Sequence, residues 1–370
     1  MPVKPETRPS FCLDHACVRA WLTERDPAVL EDLWAEADRV RQAHVGDAVH
    51  LRGLIEVSSH CIRHCLYCGL RAPSEGLERY RMTADEILAC AQEAVALGYG
   101  SVVLQGGEDP GLTRDGVADI VRALKRDTPL AVTLSLGERD DEDLLAWRKA
   151  GADRYLLRFE TSDPILYRRI HPNRSGVLSD RFAQLRRMRR MGYEIGSGVM
   201  VGIPGQTWDA LADDILRFRE LDLDMIGIGP FLPSPRTPLG DSHADAFLAE
   251  PEDQVPNDEL TTLKAVALTR LACPDANIPS TTALATLDRE RGRELGLMRG
   301  ANVVMPNVTP LRYRIHYEIY PGKACLNETA VACQGCLAGR IQALGRTVGT
   351  GPGGRNQTHC KDLTSCDFHH

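Results

Sequence analysis

An alternation of helical and strand-like segments dominates this chain of 370 residues. Amphipathic stretches that end at a glycine or an aspartate are followed by short apolar runs, and each run leads into a polar loop. Strands that alternate with helices form parallel sheets, because each crossover helix returns the chain to the same end of the sheet. The pattern therefore predicts an α/β fold, a (β/α)8 barrel of the TIM type. Its eight strands are expected at 53–58, 101–104, 130–136, 155–159, 193–200, 225–228, 276–281 and 301–305.

An open doubly wound sheet is the alternative architecture for this alternation. That fold is expected to carry a phosphate-binding G-x-G-x-x-G turn after its first strand, but the first predicted strand is followed by cysteines. We therefore divide the chain into four parts. They are an N-terminal helical extension at 1–50, the barrel at 51–310, a cysteine-bearing C-terminal segment at 311–346 and a tail at 347–370, whose glycine-rich, polar composition predicts disorder.

Cys61, Cys65 and Cys68 lie in the loop after the first predicted strand. Thiolates are ligands that suit iron–sulfur clusters and zinc. A structural zinc site and an ordinary 4Fe-4S cluster both take four protein ligands, whereas this loop supplies three. A cubane held by three thiolates keeps one iron open for a small molecule. The spacing therefore favours a 4Fe-4S cluster with an open iron over a zinc site or three buried thiols.

The composition restricts both the partners and the compartment. The formal net charge of -7 argues against a nucleic-acid-binding surface. The sequence shows no signal-peptide pattern and no apolar run long enough to span a bilayer. Six of the 12 cysteines fall into two tight groups, which is typical of metal binding in a reducing cytoplasm. We expect a cytoplasmic protein of an anaerobic or micro-aerobic cell, because an open cluster is sensitive to oxygen.

Polar residues follow the other predicted strands, at the end of a barrel where active sites lie. The second strand leads into Gln105-Gly106-Gly107-Glu108, where two glycines either make a turn or let the backbone approach a ligand closely. Arg158 and Glu160 project to the same side of the fourth strand, either as a structural ion pair or as a clamp for a zwitterion. Hydroxyl groups end the third and seventh strands, at Thr133, Ser135, Thr281 and Thr282.

A second group of thiols lies beyond the eighth predicted strand. Cys325, Cys333 and Cys336 are separated by seven and then two residues. This grouping favours a second iron–sulfur cluster whose fourth site is open or filled from elsewhere. A zinc site or a vestigial group is the alternative interpretation.

The first cysteine group, with an aromatic residue before its last thiol, resembles the fingerprint of radical S-adenosylmethionine (SAM) enzymes. More narrowly, the chain is similar to the FeFe-hydrogenase maturase family HydE from about residue 50 to 345. Methylornithine synthase and biotin synthase are further relatives. The stretches that carry the narrower resemblance are Cys-Leu-Tyr-Cys-Gly-Leu-Arg, Leu-Gln-Gly-Gly-Glu-Asp, Arg-Phe-Glu-Thr, Gly-Ile-Pro-Gly-Gln-Thr, Met-Pro-Asn-Val-Thr-Pro and Tyr-Pro-Gly-Lys-Ala-Cys.

The resemblance implies that SAM chelates the open iron and that one electron from the cluster releases a 5'-deoxyadenosyl radical. It also implies a substrate, a small iron complex carrying CO, cyanide and cysteine that a partner maturase makes, and a one-electron donor such as a flavodoxin or ferredoxin. The positions that match the family's SAM site are Tyr67, Gly106, Gly107, Glu108, Ser135, Arg158, Glu160, Arg181, Met200, Gly202 and Pro204. Those that match its substrate cavity are Gln105, Thr133, Thr281, Thr282 and Tyr313.

Two other functions fit the same residues. An amino-acid carbon-skeleton mutase resembling methylornithine synthase would apply the same radical chemistry to an amino-acid-like substrate, and it is not expected to carry the second cysteine group. A non-catalytic iron–sulfur electron carrier or scaffold would bind a cluster without cleaving SAM.

Overall fold

The computed structural model describes residues 11–172, 179–241, 244–324, 326 and 328–355, without the side chains of 246 and 331–333. Its strands are β1 (Ala48–Ser58), β2 (Ser101–Gly106), β3 (Ala131–Ser135), β4 (Arg154–Leu156), β5 (Glu194–Val201), β6 (Met225–Pro230), β7 (Val303–Val304) and β8 (Thr347–Val348). Its helices are α1 (His15–Thr23), α2 (Pro27–Val45), α3 (Ala84–Ala96), α4 (Arg114–Asp127), α5 (Asp141–Ala150), α6 (Pro164–Ile170), α7 (Arg181–Arg190), α8 (Trp208–Glu220), α9 (Glu259–Ala272), α10 (Thr282–Leu287), α11 (Gly292–Met298), α12 (Leu311–Arg314) and α13 (Ala330–Ala343), with a 3-10 turn at Ala244–Phe247.

The strands form one curled parallel sheet in the order β6-β5-β4-β3-β2-β1-β7. The strand runs predicted from the sequence at 53–58, 101–104, 130–136, 193–200 and 225–228 all lie within or overlap these strands. Parallel pairing throughout confirms the predicted α/β class and the barrel-like arrangement.

The seventh predicted strand, at 276–281, forms isolated bridges and not a regular strand. Asn277 bridges to Met225 of β6, and Pro279 bridges to Val303 of β7, so that this segment stands between the two edge strands of the curled sheet. Pro279 has no N–H to donate, and a proline within a strand limits its pairing to short stretches. The eighth predicted strand is likewise shortened, to Val303–Val304.

Helices cover the outside of the sheet, and local sequence signals set their ends. A capping box begins α3, since Thr83 accepts from the Glu86 N–H while the Glu86 side chain accepts from the Thr83 N–H. The N-terminal helices α1 and α2 pack on α8 and α9 respectively. They leave α9 buried on all sides, which explains its weak helical amphipathicity. None of the helices in the described part of the chain is both long and apolar enough to cross a membrane.

The predicted disorder of the tail at 347–370 is wrong for its first residues. Thr347 and Val348 form β8, which pairs with the start of β1. Beyond it, the carbonyl oxygens of Pro352 and Gly353 accept from Arg154 at 2.9 Å and from Arg52 at 3.0 Å. Both arginines are buried at the N-terminal end of the barrel, where they need acceptors. Residues 356–370 lie outside the described part.

Candidate active site

A cavity of about 350 Å³ opens at the C-terminal ends of the strands. Parallel strands all end on the same side of the sheet, so the loops that follow them converge there. Sixteen of the residues predicted to form the site lie on the cavity wall. They are Cys61, Cys65, Tyr67, Cys68, Gln105, Gly106, Gly107, Glu108, Thr133, Ser135, Arg158, Glu160, Arg181, Met200, Thr281 and Thr282.

The end of β2 holds the cysteine loop in place through a close backbone approach. The N–H of Ile62 donates to the carbonyl of Glu108 at 3.0 Å. A Cβ atom built on Gly107 would stand 2.4 Å from the His60 carbonyl oxygen and 2.6 Å from the Cys61 Cβ. Gly107 is therefore required for this contact, because any side chain would push the cysteine loop away.

The three thiols of the loop share the cavity and are largely buried. Burial, reinforced by the neighbouring thiolates, raises the pKa of Cys65 above its usual range and that of Cys68 to about 12. Burial also raises the pKa of Cys61. In the metal-free protein these groups are accordingly thiols, whereas a bound metal would hold them as thiolates.

The donor set of this cavity consists of three thiols. Cys61, Cys65 and Cys68 line the same wall. A 4Fe-4S cubane takes one thiolate per iron, so three thiols around one cavity can hold three of its four irons. The residues present therefore fit the predicted 4Fe-4S cluster.

A buried network of two arginines and two carboxylates borders the cysteine loop. Arg63 donates to Glu108 and lies 2.8 Å from Glu138, and Arg181 donates to Glu138 at 2.9 Å. Burial alone would raise the pKa of Glu138, but Arg181, Ser179 and Arg63 together lower it below its usual range. Each of the two arginines is thereby paired with a carboxylate inside the protein.

Sequence analysis missed Arg63, Glu138 and His171 in this region, although Arg63 and His171 also lie on the cavity wall. Arg63 could have been predicted, because it is a charged residue that lies between the first two cysteines. No local sequence signal marks Glu138 and His171, because loops that are distant in the sequence bring them to the site.

Arg158 and Glu160 were predicted to project to the same side of the fourth strand, but β4 ends at Leu156 and both residues lie beyond it, where they still form an ion pair. Arg158 Nε lies 3.1 Å from both carboxylate oxygens of Glu160, and its Nη2 donates to the carbonyl of Val199 at 2.7 Å. Glu160 adopts φ 64°, in the left-handed region that residues with a side chain rarely occupy. Such backbone strain is commonly kept at functional sites, and here it sets the direction of the carboxylate.

Met200, near the end of β5, lies on the cavity wall, while Gly202 and Pro204 of the loop that follows do not. The Gln206 side chain folds this loop: its Oε1 accepts from the Gly202 N–H at 2.7 Å, and its Nε2 donates to the Met200 carbonyl at 3.1 Å. Gly202 has φ +82°, and a Cβ there would lie 2.3 Å from the Asn257 Cα. Gly202 and Pro204 therefore lie in the loop next to Met200 but off the cavity wall, and their contact with SAM stays a prediction.

Tyr313, predicted to line the substrate cavity, lies elsewhere. Its hydroxyl donates to Glu86 at 2.6 Å, and its ring stacks on Tyr80 with 4.7 Å between the centroids. Other aromatic residues of the same segment, Tyr317 and Tyr320, lie on the wall instead. Gln105 Nε2 donates to the Tyr317 hydroxyl at 3.3 Å.

A buried ion pair also faces the cavity, and sequence analysis did not predict it. Lys323 follows the two wall tyrosines and pairs with Glu56 of β1. The run Tyr-Glu-Ile-Tyr-Pro-Gly-Lys, next to the second cysteine group, is the signal that could have revealed it. The segment before that cysteine group therefore forms part of the cavity wall.

Little of the second cysteine group can be described. Cys325 and the side chain of Cys333 lie outside the described residues. Cys336 is exposed on α13. The predicted second cluster therefore stays a prediction.

Comparisons with known proteins agree with this site. A family model described as the Radical SAM superfamily matches residues 55–218. The chain is 47% identical over 336 residues to the "[FeFe] hydrogenase maturase subunit HydE" of Thermotoga maritima, covering 91% of this chain and 92% of that protein. It is 29% identical to the 3-methylornithine synthase of Methanosarcina acetivorans over 80% of this chain and 79% of that protein. A crystal structure of methylornithine synthase superposes with a TM-score of 0.75 at 26% identity and covers 91% of this chain and 94% of its own.

The curled parallel sheet and the three thiols at its C-terminal end define a radical SAM enzyme. Within that class, the identity and coverage place the chain in the family of the FeFe-hydrogenase maturase HydE.

Proposed function

We propose that this enzyme acts in the maturation of the diiron subcluster of FeFe-hydrogenase. The single observation that supports this most strongly is the 47% identity to a HydE protein over nearly the whole of both chains. The cavity adds to it, because the matched motifs come from strands that are far apart in the sequence and yet line one wall. The polypeptide would use SAM and a 4Fe-4S cluster as its cofactors.

In this proposal the residues of the wall divide into three groups. Cys61, Cys65 and Cys68 would hold the cluster, and the bound cluster would supply the electron for the reductive cleavage of SAM. The side chains and backbone that hold SAM are those of Tyr67, Gly106, Gly107, Glu108, Ser135, Arg158, Glu160, Arg181 and Met200. Gln105, Thr133, Thr281 and Thr282 bind the substrate from the neighbouring part of the wall.

The proposed substrate is a small iron complex that carries CO, cyanide and cysteine. The substrate part of the wall offers neutral hydroxyl and amide groups, which bind a polar complex without protonating it or displacing its ligands. A partner maturase would supply this complex, and a flavodoxin or ferredoxin would supply the electron. Such a reaction belongs in an oxygen-poor cytoplasm.

Anaerobic reconstitution with iron and sulfide tests the proposal in two steps. The reduced protein is expected to convert SAM to 5'-deoxyadenosine, and SAM is expected to change the EPR spectrum of the cluster. A mixture of apo-hydrogenase and partner maturases is then expected to gain hydrogenase activity only when this protein is added. Absence of 5'-deoxyadenosine would favour the scaffold alternative. SAM cleavage without maturation, together with a rearranged amino-acid product, would favour the carbon-skeleton mutase.

The second cysteine group is proposed to bind an accessory iron–sulfur cluster that does not take part in SAM cleavage. Cys336 lies on α13 and does not line the cavity. Replacing Cys336 with serine is expected to lower the iron content while SAM cleavage stays within about threefold of the wild-type rate, since exposed substitutions away from a site have small effects. Iron analysis and 5'-deoxyadenosine formation measure the two quantities.

The matched control for this variant is Cys90→Ser, which changes a buried cysteine of α3 outside the cavity. It is expected to keep the wild-type iron content. Loss of SAM cleavage in a folded Cys336→Ser protein would contradict the proposal and give the second group a catalytic role.

A further inference from the structure

His171 is a buried side chain of the cavity wall to which the proposed function gives no role. It follows α6 directly and is 1% exposed. Arg181 Nη2 stands 2.5 Å from its Nε2 atom. A guanidinium can only donate, so Nε2 must be the acceptor and the imidazole proton must sit on Nδ1.

The proton on Nδ1 has no acceptor in any other residue of the described part of the chain, and only the backbone of His171 itself lies near it. Buried donors are seldom left unpaired, and one in a cavity wall is a candidate for a ligand contact. Nη1 of Arg63, on the same wall, is also buried without a partner. Two unpaired donors therefore border the cavity beside the cysteine loop.

The imidazole stays neutral, so it donates a hydrogen bond without adding charge. Burial, with Arg181 and Arg63 nearby, lowers the pKa of His171 to about 2. The Tyr167 ring stacks on the imidazole with 5.0 Å between the centroids and restrains its orientation. The carboxylates of the region, Glu108 and Glu138, already accept from the two arginines.

The position of His171 indicates which part of a ligand it meets. The N–H of Leu66, inside the cysteine loop, donates to the carbonyl of Ile170 at 2.8 Å. His171 is thereby fixed beside the loop that would hold the cluster. The methionine end of SAM, which would chelate the open iron, belongs at the same place, and its carboxylate can accept a hydrogen bond.

We propose that His171 is a further SAM-binding residue, whose neutral Nδ1–H donates to the carboxylate of SAM while its Nε2 accepts from Arg181. The proposal rests on the proposed use of SAM. Its alternative is a purely structural role, in which His171 matters only because it accepts the hydrogen bond from Arg181.

Two variants separate these roles, because each keeps a polar atom at the position of one of the two ring nitrogens. In His171→Asn the amide nitrogen stands where Nδ1 was, and in His171→Gln the amide oxygen can stand where Nε2 was. Dissociation constants for SAM are measured with cluster-loaded protein by equilibrium dialysis. We expect His171→Gln to weaken SAM binding about tenfold, as for one hydrogen bond to a charged group, and His171→Asn to stay within about threefold of wild type.

A comparison of two ligands then locates the contact. S-adenosylhomocysteine keeps the amino-acid carboxylate and methylthioadenosine lacks it. The loss in His171→Gln is expected with the first ligand and not with the second, and normal binding of methylthioadenosine also shows that the variant is folded. If neither variant folds, the ¹⁵N resonance of Nδ1 in the wild-type protein decides: it is expected to shift on adding S-adenosylhomocysteine but not on adding methylthioadenosine.

Three results would overturn the assignment: equal SAM affinity in both variants, the reverse order with His171→Asn the weaker binder, or the same loss for both ligands. Each would leave His171 with at most a structural role beside Arg181. The proposed use of SAM fails differently, since wild-type protein with a loaded cluster would then not bind SAM at all.

Discussion

Replacing Cys65 with serine is expected to abolish both the reducible cluster and SAM cleavage. Cys65 is the most buried of the three cavity thiols, and it stands between the other two in the loop. A serine hydroxyl is a poor ligand for iron in a sulfur-bound cluster. Even groups that only support metal ligands cost up to about 100-fold when removed, so the loss of SAM cleavage is expected to exceed that factor. Iron and sulfide analysis, the EPR spectrum of the reduced protein and 5'-deoxyadenosine formation measure it.

The Cys90→Ser protein serves again as the matched control. Cys90 is 3% exposed and Cys65 is 8% exposed, so both substitutions place a hydroxyl in a buried position. Any effect that comes only from burying a serine appears in both proteins, whereas the loss of a cluster ligand appears in Cys65→Ser alone. A Cys65→Ser protein that still cleaved SAM would remove the three thiols from the centre of the site.

The order of strands and helices could be predicted from the sequence because each unit carries its own signals. The alternation of amphipathic and apolar runs defines the parallel sheet, and a capping residue such as Thr83 marks where a helix begins. The exception is the segment around Pro279. Its apolar composition resembles a strand, but the missing N–H limits it to two bridges, and a hydrophobic pattern does not report how many hydrogen bonds form.

The site could be predicted where residues lie at the end of a strand or shortly after it. Sequence distance from the strand end then nearly fixes their position, as it does for Gln105 and Arg158. Tyr313 fails this condition, because it lies in a segment with no strand to set its register, and Tyr317 takes the place on the wall. His171 and Glu138 were missed for a related reason, since only tertiary contacts with Arg181 bring them together.

The C-terminal residues 347–355 show the limit of composition as a guide. Glycine-rich, polar sequence usually lacks the apolar surface needed for order. Here the carbonyl groups of the segment satisfy Arg52 and Arg154, which would otherwise be buried with fewer acceptors. Order in this segment comes from charges elsewhere in the chain, which a local sequence window cannot reveal.

Replacing Gly107 with alanine is expected to displace the cysteine loop and prevent assembly of the cluster. The new Cβ would lie 2.4 Å from the His60 carbonyl oxygen, 2.6 Å from the Cys61 Cβ and 3.1 Å from the Cys61 Sγ. Two of these contacts are too short for any relaxation of side chains alone, so the backbone of the loop must move. A displacement of about 1 Å at a reacting centre costs on the order of 100-fold in rate. We therefore expect at least that loss in 5'-deoxyadenosine formation, together with a lower iron content after reconstitution.

The adjacent glycine provides the control. A Cβ on Gly106 would meet its nearest atoms, the Ser58 carbonyl oxygen and the side chains of Leu112 and Leu136, at 3.5 to 3.6 Å, which are ordinary van der Waals distances. Gly106→Ala is therefore expected to reconstitute with the iron content of the wild-type protein. If Gly107→Ala also did so and cleaved SAM normally, the cysteine loop would not depend on its approach to β2. If both variants lost iron equally, the cause would be a general requirement for glycine in this turn, and the close contact with Cys61 would not explain it.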